Sequence, residues 1–499
     1  MEWLKILPPL VAVFFVIWKK EVILALMMAI FTSEWLLIAS HESLGPVIGG
    51  LNTLERIVEV FSDPGNTRIL IFSLMVGALL SFMRVSGGVT ALVKKLISKG
   101  LAKSARQVSL MASFTGVAVF IESNLSVLTA GILSRGLFDK FGISRAKLAY
   151  IIDSTSAPVC ILILLNAWGA YVLALLGNYE LGASSAEILW GTIPFNFYAI
   201  ITLAIVFYTA YTGKYYGPLA TSLNNEEIAQ KALAENLAQT GLVGTGSAGK
   251  DLAGTDVAGT ELASTQTDTS SKDLDEENEN GKARYMLLPL LTMIGGMVGF
   301  MFWTGDGVMS AGSGSKSVLY ATTLACMVAY AMMLMSGHFK HTKLVKIAFE
   351  GMSELLPLVA IVLLSLALGS SLKELGTGIY IAQIVGDFLP LYLVAPMIFI
   401  VGGVIAFSTG TSWGTFAILI PIGIPIIETM GLPASFILAA ILGGGVFGDH
   451  CSPISDTTAV SAIASGCDLL EHVKTQLPYA ATGGVITIFA YLITGLIIL

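Results

Sequence analysis

Charge is scarce in this chain: 12% of its 499 residues are Asp, Glu, Lys or Arg, against roughly 25% in a soluble domain. A water-facing globule so poor in charge would expose wide apolar patches, which excludes an ordinary soluble enzyme. Cysteine is scarcer still. Cys160, Cys326, Cys451 and Cys467 have no CxxC spacing, which excludes a disulfide framework and a zinc site. A basic patch is missing too, and with it any nucleic-acid partner. The opening MEWLKILPP has no basic start and runs into further apolar segments, so no cleaved signal is expected.

What is abundant is apolar sequence. Hydrophobic residues make up 55% of the chain and the mean hydropathy is +0.80. Runs such as Ile188 to Tyr211 and Leu477 to Leu499 reach the roughly 20 residues that cross a bilayer. The fold class this predicts is an all-α polytopic membrane protein.

Residues 214–284 interrupt the pattern, with six Lys/Arg against twelve Asp/Glu, which accounts for most of the net charge of −7. The stretch KDLAGTDVAGTELASTQTD is of low complexity and cannot bury enough apolar surface to offset its ordering entropy. It is expected to be a mobile cytoplasmic linker, with a short helix within Asn225 to Gln239, between membrane domains at 1–213 and 285–499. Spans are expected near 4–18, 22–39, 69–84, 146–175 and 188–212, then near 286–303, 318–335, 355–372, 433–465 and 478–499. Each half adds one polar-tipped, re-entrant hairpin.

The halves resemble each other. Phe82 to Val89 aligns without gaps on Leu372 to Ile379; FIESNLS from Phe120 matches FSTGTSW from Phe407; DSTSAPV from Asp153 matches DHCSPISD from Asp449. Ten Lys/Arg lie between Arg84 and Lys147, including Lys94, Lys95, Lys99 and Lys103, but one between Lys373 and Glu428. By the positive-inside rule these stretches face opposite sides. Two inverted-topology repeats of about five transmembrane helices follow, each with a hairpin and a broken helix, an architecture of secondary transporters whose site lies between the repeats.

Four carboxylates interrupt apolar segments: Glu122, Asp153, Asp449 and Asp456. An Asp at a helix centre costs about 2.5–3.5 kcal/mol on insertion scales, so such groups need partners or a use. Proline inside a span frees a backbone carbonyl, and Pro158 and Pro453 stand beside these groups. Carbonyl, hydroxyl and carboxylate oxygens are hard ligands suited to a small alkali cation, and paired imidazoles or thiolates for a transition metal are missing here. Asp449, Asp456 and Asp153 are the candidate Na+ ligands and coupling groups, with Asp153 as the symmetry-related arm. Ser452, Ser455, Thr457, Ser154, Ser156, Asn124, Thr409, Thr411 and Ser412 are candidate neutral ligands; Glu122, at a hairpin tip, is a weaker candidate. His450 is a candidate pH sensor, since imidazole titrates near about 6.5. The paired aspartates lack the GxGD and YD signatures of intramembrane proteases, and adjacency of Ser452, His450 and Asp456 is not triad geometry. No enzymatic activity and no cofactor is expected.

The segment GGGVFGDHCSPISDTTAVSAIASGCDLLEHVKTQLPYA from Gly443 closely resembles the NhaC family of sodium/proton antiporters. YIIDSTSAPVCILILLNAWGAYV from Tyr150 and FSTGTSWGTFAILIPI from Phe407 resemble it as well. The resemblance covers both membrane halves and fails in the linker. It implies a multi-pass exchanger of the cytoplasmic (cell inner) membrane, related to elevator-type ion transporters, with Na+ and H+ as transported ions, lipids as surroundings and a homodimer as a candidate assembly. A desolvated carboxylate holds a proton, and an arriving cation favours the charged form and expels it; competition at one site combined with alternating access is antiport. The alternative is an exchanger of organic anions or amino acids, malate/lactate-like, coupled to Na+ or H+. Neither motif has a fixed Arg or Lys to meet a substrate carboxylate, though helix N-termini and Asn166 are substitutes. A passive channel has no use for paired titratable aspartates.

Overall fold

The computed structural model describes residues 2–38, 45–88, 91, 104–120, 122–164, 166–177, 179, 181–222, 282–308 and 312–499. The expected linker, its short helix and Lys94, Lys95, Lys99 and Lys103 lie wholly or mostly outside these residues. The secondary structure of the described residues is helical, with no strand among them.

The first half runs α1 (Leu7–Lys19), α2 (Val22–Ile38), α3 (Gly45–Glu59), α4 (Pro64–Val85), α5 (Ala105–Ala118), α6 (Ser123–Lys140), α7 (Arg145–Leu162), α8 (Ala167–Leu176), α9 (Ser185–Gly191) and α10 (Phe197–Thr212). The second runs α11 (Arg284–Thr304), α12 (Gly314–Met335), α13 (His341–Leu375), α14 (Thr377–Phe388), α15 (Val394–Thr409), α16 (Ser412–Met430), α17 (Ala434–Cys451), α18 (Asp456–Ser465) and α19 (Leu469–Ile498). Among the described residues nine helices are long and apolar enough to cross a membrane. This is a polytopic membrane protein. The arms of the second hairpin, α15 and α16, are among the nine.

The halves repeat in register. Ala105, Ser123, Arg145 and Ala167 open α5 to α8; Val394, Ser412, Ala434 and Asp456 open α15 to α18, each 289 positions later. Gly87 and Gly376 share a left-handed backbone at that spacing, with φ of 64° and 73°, as do Gly142 and Gly431, at 64° and 66°. Glycine fits there because a Cβ would clash. This register corrects all three sequence alignments. Phe120 pairs with Thr409, two positions past Phe407. Gly87 pairs with Gly376, one position off the gap-free match, and the counterpart of Asp449 is Cys160, not Asp153. The two polar clusters sit two helical turns apart along equivalent helices, which is why composition alone matched them.

The two broken helices run antiparallel. Arg145, opening α7, donates to the carbonyl of Gly466 just past α18 at 3.3 Å; Ser435, near the start of α17, donates to the carbonyl of Ile188 beyond α8 at 2.9 Å. Each distal half-helix packs on the other repeat's hairpin. Trp168 of α8 meets Trp413 of α16 with ring centroids 5.2 Å apart. Gly131 of α6 lies so close to α18 that an added Cβ would come within 2.6 Å of Ala464. The repeats are therefore inverted, and the hairpin tips and helix breaks meet in the interior between them.

Candidate ion-exchange site

Local sequence explains the breaks. Gly410 ends α15 with φ of 68°, and extended Thr411 opens α16. Glu122, also extended, caps α6 by accepting from the N–H groups of Asn124 and Leu125 at 2.9 and 2.5 Å. Its carboxylate is thus spent on a helix terminus. Ser452 and Pro453 end α17, and Ser455 caps α18 by accepting from the N–H of Thr458 at 3.4 Å.

Two connected groups of side chains fill the space around these breaks. In the first, Asp449 is buried in the last turn of α17; its Oδ2 accepts from Ser412 at 2.6 Å, and its Oδ1 is buried without a hydrogen-bond partner. Ser452 donates to the carbonyl of Phe407 at the hairpin tip at 2.8 Å, and Ser455 shares a 3.0 Å hydrogen bond with Thr457. Asp456 is exposed, accepts from the Asn124 amide at 3.4 Å and lies within electrostatic reach of Asp449. The Asn124 carbonyl oxygen is another buried acceptor without a partner.

In the second group, fully buried Asp153 accepts through Oδ2 from His472 at 3.1 Å and from Gln476 at 2.6 Å, while its Oδ1 has no partner. Gln476 also donates to the carbonyl of His450 at 2.8 Å. His450 Nδ1 meets the Tyr198 hydroxyl at 2.8 Å and its Nε2 meets Ser154 at 3.2 Å. His450 follows Asp449 directly and so joins the groups.

Two expected ligands bond elsewhere. Ser156 donates to Ile152 O at 2.6 Å and Ser126 at 3.0 Å, and Thr409 donates to Ile405 O at 3.0 Å. Thr411 stands at the α16 N-cap without a side-chain capping bond. Asn166 is not free to meet an anion, because both its amide atoms bond backbone groups. Among the described residues no three His, Cys, Asp or Glu side chains gather to hold one metal ion. Asp449, Asp456 and Asp153 therefore form no shared carboxylate cage, and hydroxyl and carbonyl oxygens would have to complete the shell of a transported cation. Sequence reasoning passed over His472, Gln476 and Tyr198. The first two were legible as polar residues four apart on one face of a long apolar helix.

A buried carboxylate at one of two helix breaks that meet between inverted repeats is the arrangement of a secondary transporter site. The model of the Na+/H+ antiporter family matches residues 159–496, and the chain belongs to that family. An uncharacterized protein of Haemophilus influenzae is 28% identical over 516 residues, covering 98% of this chain and 90% of that one. The malate-2H(+)/Na(+)-lactate antiporter of Bacillus subtilis is 35% identical over 105 residues, 21% of this chain and 22% of its own length. Among solved structures, MtrF of Neisseria gonorrhoeae, described with a class of antimetabolite efflux pumps, shares the fold. Its TM-score is 0.55 at 15% identity, covering 90% of this chain and 85% of MtrF.

Proposed function

We propose that this protein exchanges Na+ for H+ across the cytoplasmic membrane by alternating access, with Asp449 at the centre of the cation site. The observation that carries this reading is the open Oδ1 of Asp449: a buried acceptor with no partner, at a helix break, beside hydroxyl groups. Leaving a buried acceptor unsatisfied costs about 1–3 kcal/mol, more for a charged group. A proton or a Na+ relieves that cost, and the two compete for the same oxygen. The C-terminal end of α17 adds its partial negative charge beside the carboxylate, which favours a cation. Ser412, Ser455, Thr457 and Asn124 supply further oxygens, and Asp456 is the second carboxylate on the approach to Asp449.

Alternating access divides the molecule into two bodies in this reading. α4 and α13 meet backbone to backbone, since a Cβ on Gly77 would lie 2.2 Å from the carbonyl oxygen of Gly351; they belong to the static body. The hairpins and broken helices move against it in an elevator-like way.

A second reading, exchange of an organic anion or amino acid coupled to Na+ or H+, is favoured by one feature. A cavity of about 400 Å3 separate from the breaks is lined by Arg56, Lys373, Tyr179, Ser370, Asp63 and Asn66, offering charge of both signs. Proteoliposomes containing the purified protein and an internal pH dye decide between the readings. A sodium gradient moves protons the opposite way under the first. Flux of organic acids or amino acids without sodium-driven proton movement replaces it with the second.

A further inference from the structure

The constant register lets the two helix breaks be compared position by position. Phe120, Cys160 and Asn166 of the first half stand where Thr409, Asp449 and Ser455 stand in the second. In the second half that arrangement leaves the Oδ1 of Asp449 without a hydrogen-bond partner, with the Ser455 side chain near the carboxylate. In the first half the same place is closed. The Asn166 amide nitrogen donates to the carbonyl of Phe120 at the hairpin tip at 3.0 Å and to the carbonyl of Cys160 near the end of α7 at 2.8 Å. Its own oxygen accepts from the Gly169 N–H at 3.1 Å, which fixes the amide's orientation. The Cys160 thiol also points at the Phe120 carbonyl, at 3.3 Å.

Two backbone carbonyls from separate elements therefore converge on one NH2 group, in the interior. Convergent carbonyl oxygens at a broken helix are what a small hard cation takes for ligands. Here a polarised amide fills their centre, and a neutral thiol replaces the carboxylate. We propose that the Asn166 amide plugs a second, repeat-related cation position, so that each chain takes up one sodium ion, at Asp449. The proposal rests on the reading of Asp449 as a cation ligand and adds the stoichiometry to it. It also makes the first break a fixed joint and leaves the second as the one whose polar groups change partners.

Equilibrium binding of radiolabelled sodium to the purified full-length protein tests this. The wild type binds one Na+ per chain, and Asp449→Asn removes it. Asn166→Asp replaces the plugging donor with an oxygen. It is expected to add a second Na+ per chain, and the double variant with Asp449→Asn to bind one. A monodisperse Asn166→Asp protein that still binds one Na+ overturns the plug, as does a wild type that binds two. Should the aspartate variant fail to fold, Asn166→Ala uncovers the carbonyls without adding charge; a second, weaker class of sites supports the proposal and its absence overturns it. A wild type that binds no sodium overturns the reading of Asp449 itself, a separate outcome.

Discussion

Gly448→Ala tests whether the close approach of α15 and α17 holds Asp449 in place. A Cβ built on Gly448 lies 2.0 Å from the carbonyl oxygen of Gly403 and 2.7 Å from the backbone nitrogen of Phe407, where ordinary contact begins at 3.4 Å. Backbone cannot rotate away as a side chain can, so the two helices must part by roughly 1 Å or more. Small residues permit such contact between membrane helices, and overpacking it costs about 1–3 kcal/mol. The displacement falls one residue from Asp449 and is enough to break the 2.6 Å hydrogen bond from Ser412. The control is Gly136→Ala, at a helical position where an added Cβ meets nothing within 4 Å; it should be neutral or stabilising by up to about 1 kcal/mol. Thermal unfolding in detergent and exchange in liposomes are the assays. Gly448→Ala should unfold earlier and exchange poorly. Wild-type behaviour on both counts would refute the packing argument.

Further expectations concern topology, capping and the linker. Single cysteines at Ser104 and Leu391 should react with impermeant reagents from opposite faces; labelling from one face contradicts the inversion. Glu122→Gln keeps an acceptor for the α6 N-terminus but loses the charge, so it should lower stability by about 1 kcal/mol and reduce exchange without abolishing it. Complete loss in folded protein would make Glu122 a coupling group. Deleting residues 225–280, whose composition offers little to pack, should leave exchange rates unchanged, and loss of transport with normal insertion would assign the segment a gating role.

The broken helices and hairpins were legible because their causes are local. Pro158, Pro453 and Gly410 stop or bend helices wherever they occur, and carboxylates in apolar runs mark polar breaks. Helix lengths were less legible. The span expected near 355–372 is the apolar part of the 35-residue α13; the charged stretch from His341 to Glu354 hid its first turns, since helix persists beyond the apolar run. The amphipathic α3 escaped for the same reason. Register between the halves was misread because little survives at equivalent positions beyond the glycines that need a left-handed backbone, while polar residues moved by whole turns. The partners of Asp153 lie 319 and 323 residues away, and no local signal pairs them.

Sodium-driven proton efflux from liposomes containing Asp449→Asn shows whether this carboxylate couples the two ions. The substitution nearly keeps the side chain's shape and leaves an oxygen to accept from Ser412, so the protein should insert and remain monodisperse. An amide has no proton to release when sodium arrives, and its single carbonyl oxygen is a weaker cation ligand than a carboxylate. Exchange should be abolished, and sodium binding to the purified variant should be lost with it. Exchange at the wild-type rate by a correctly inserted Asp449→Asn protein would contradict the coupling role of Asp449.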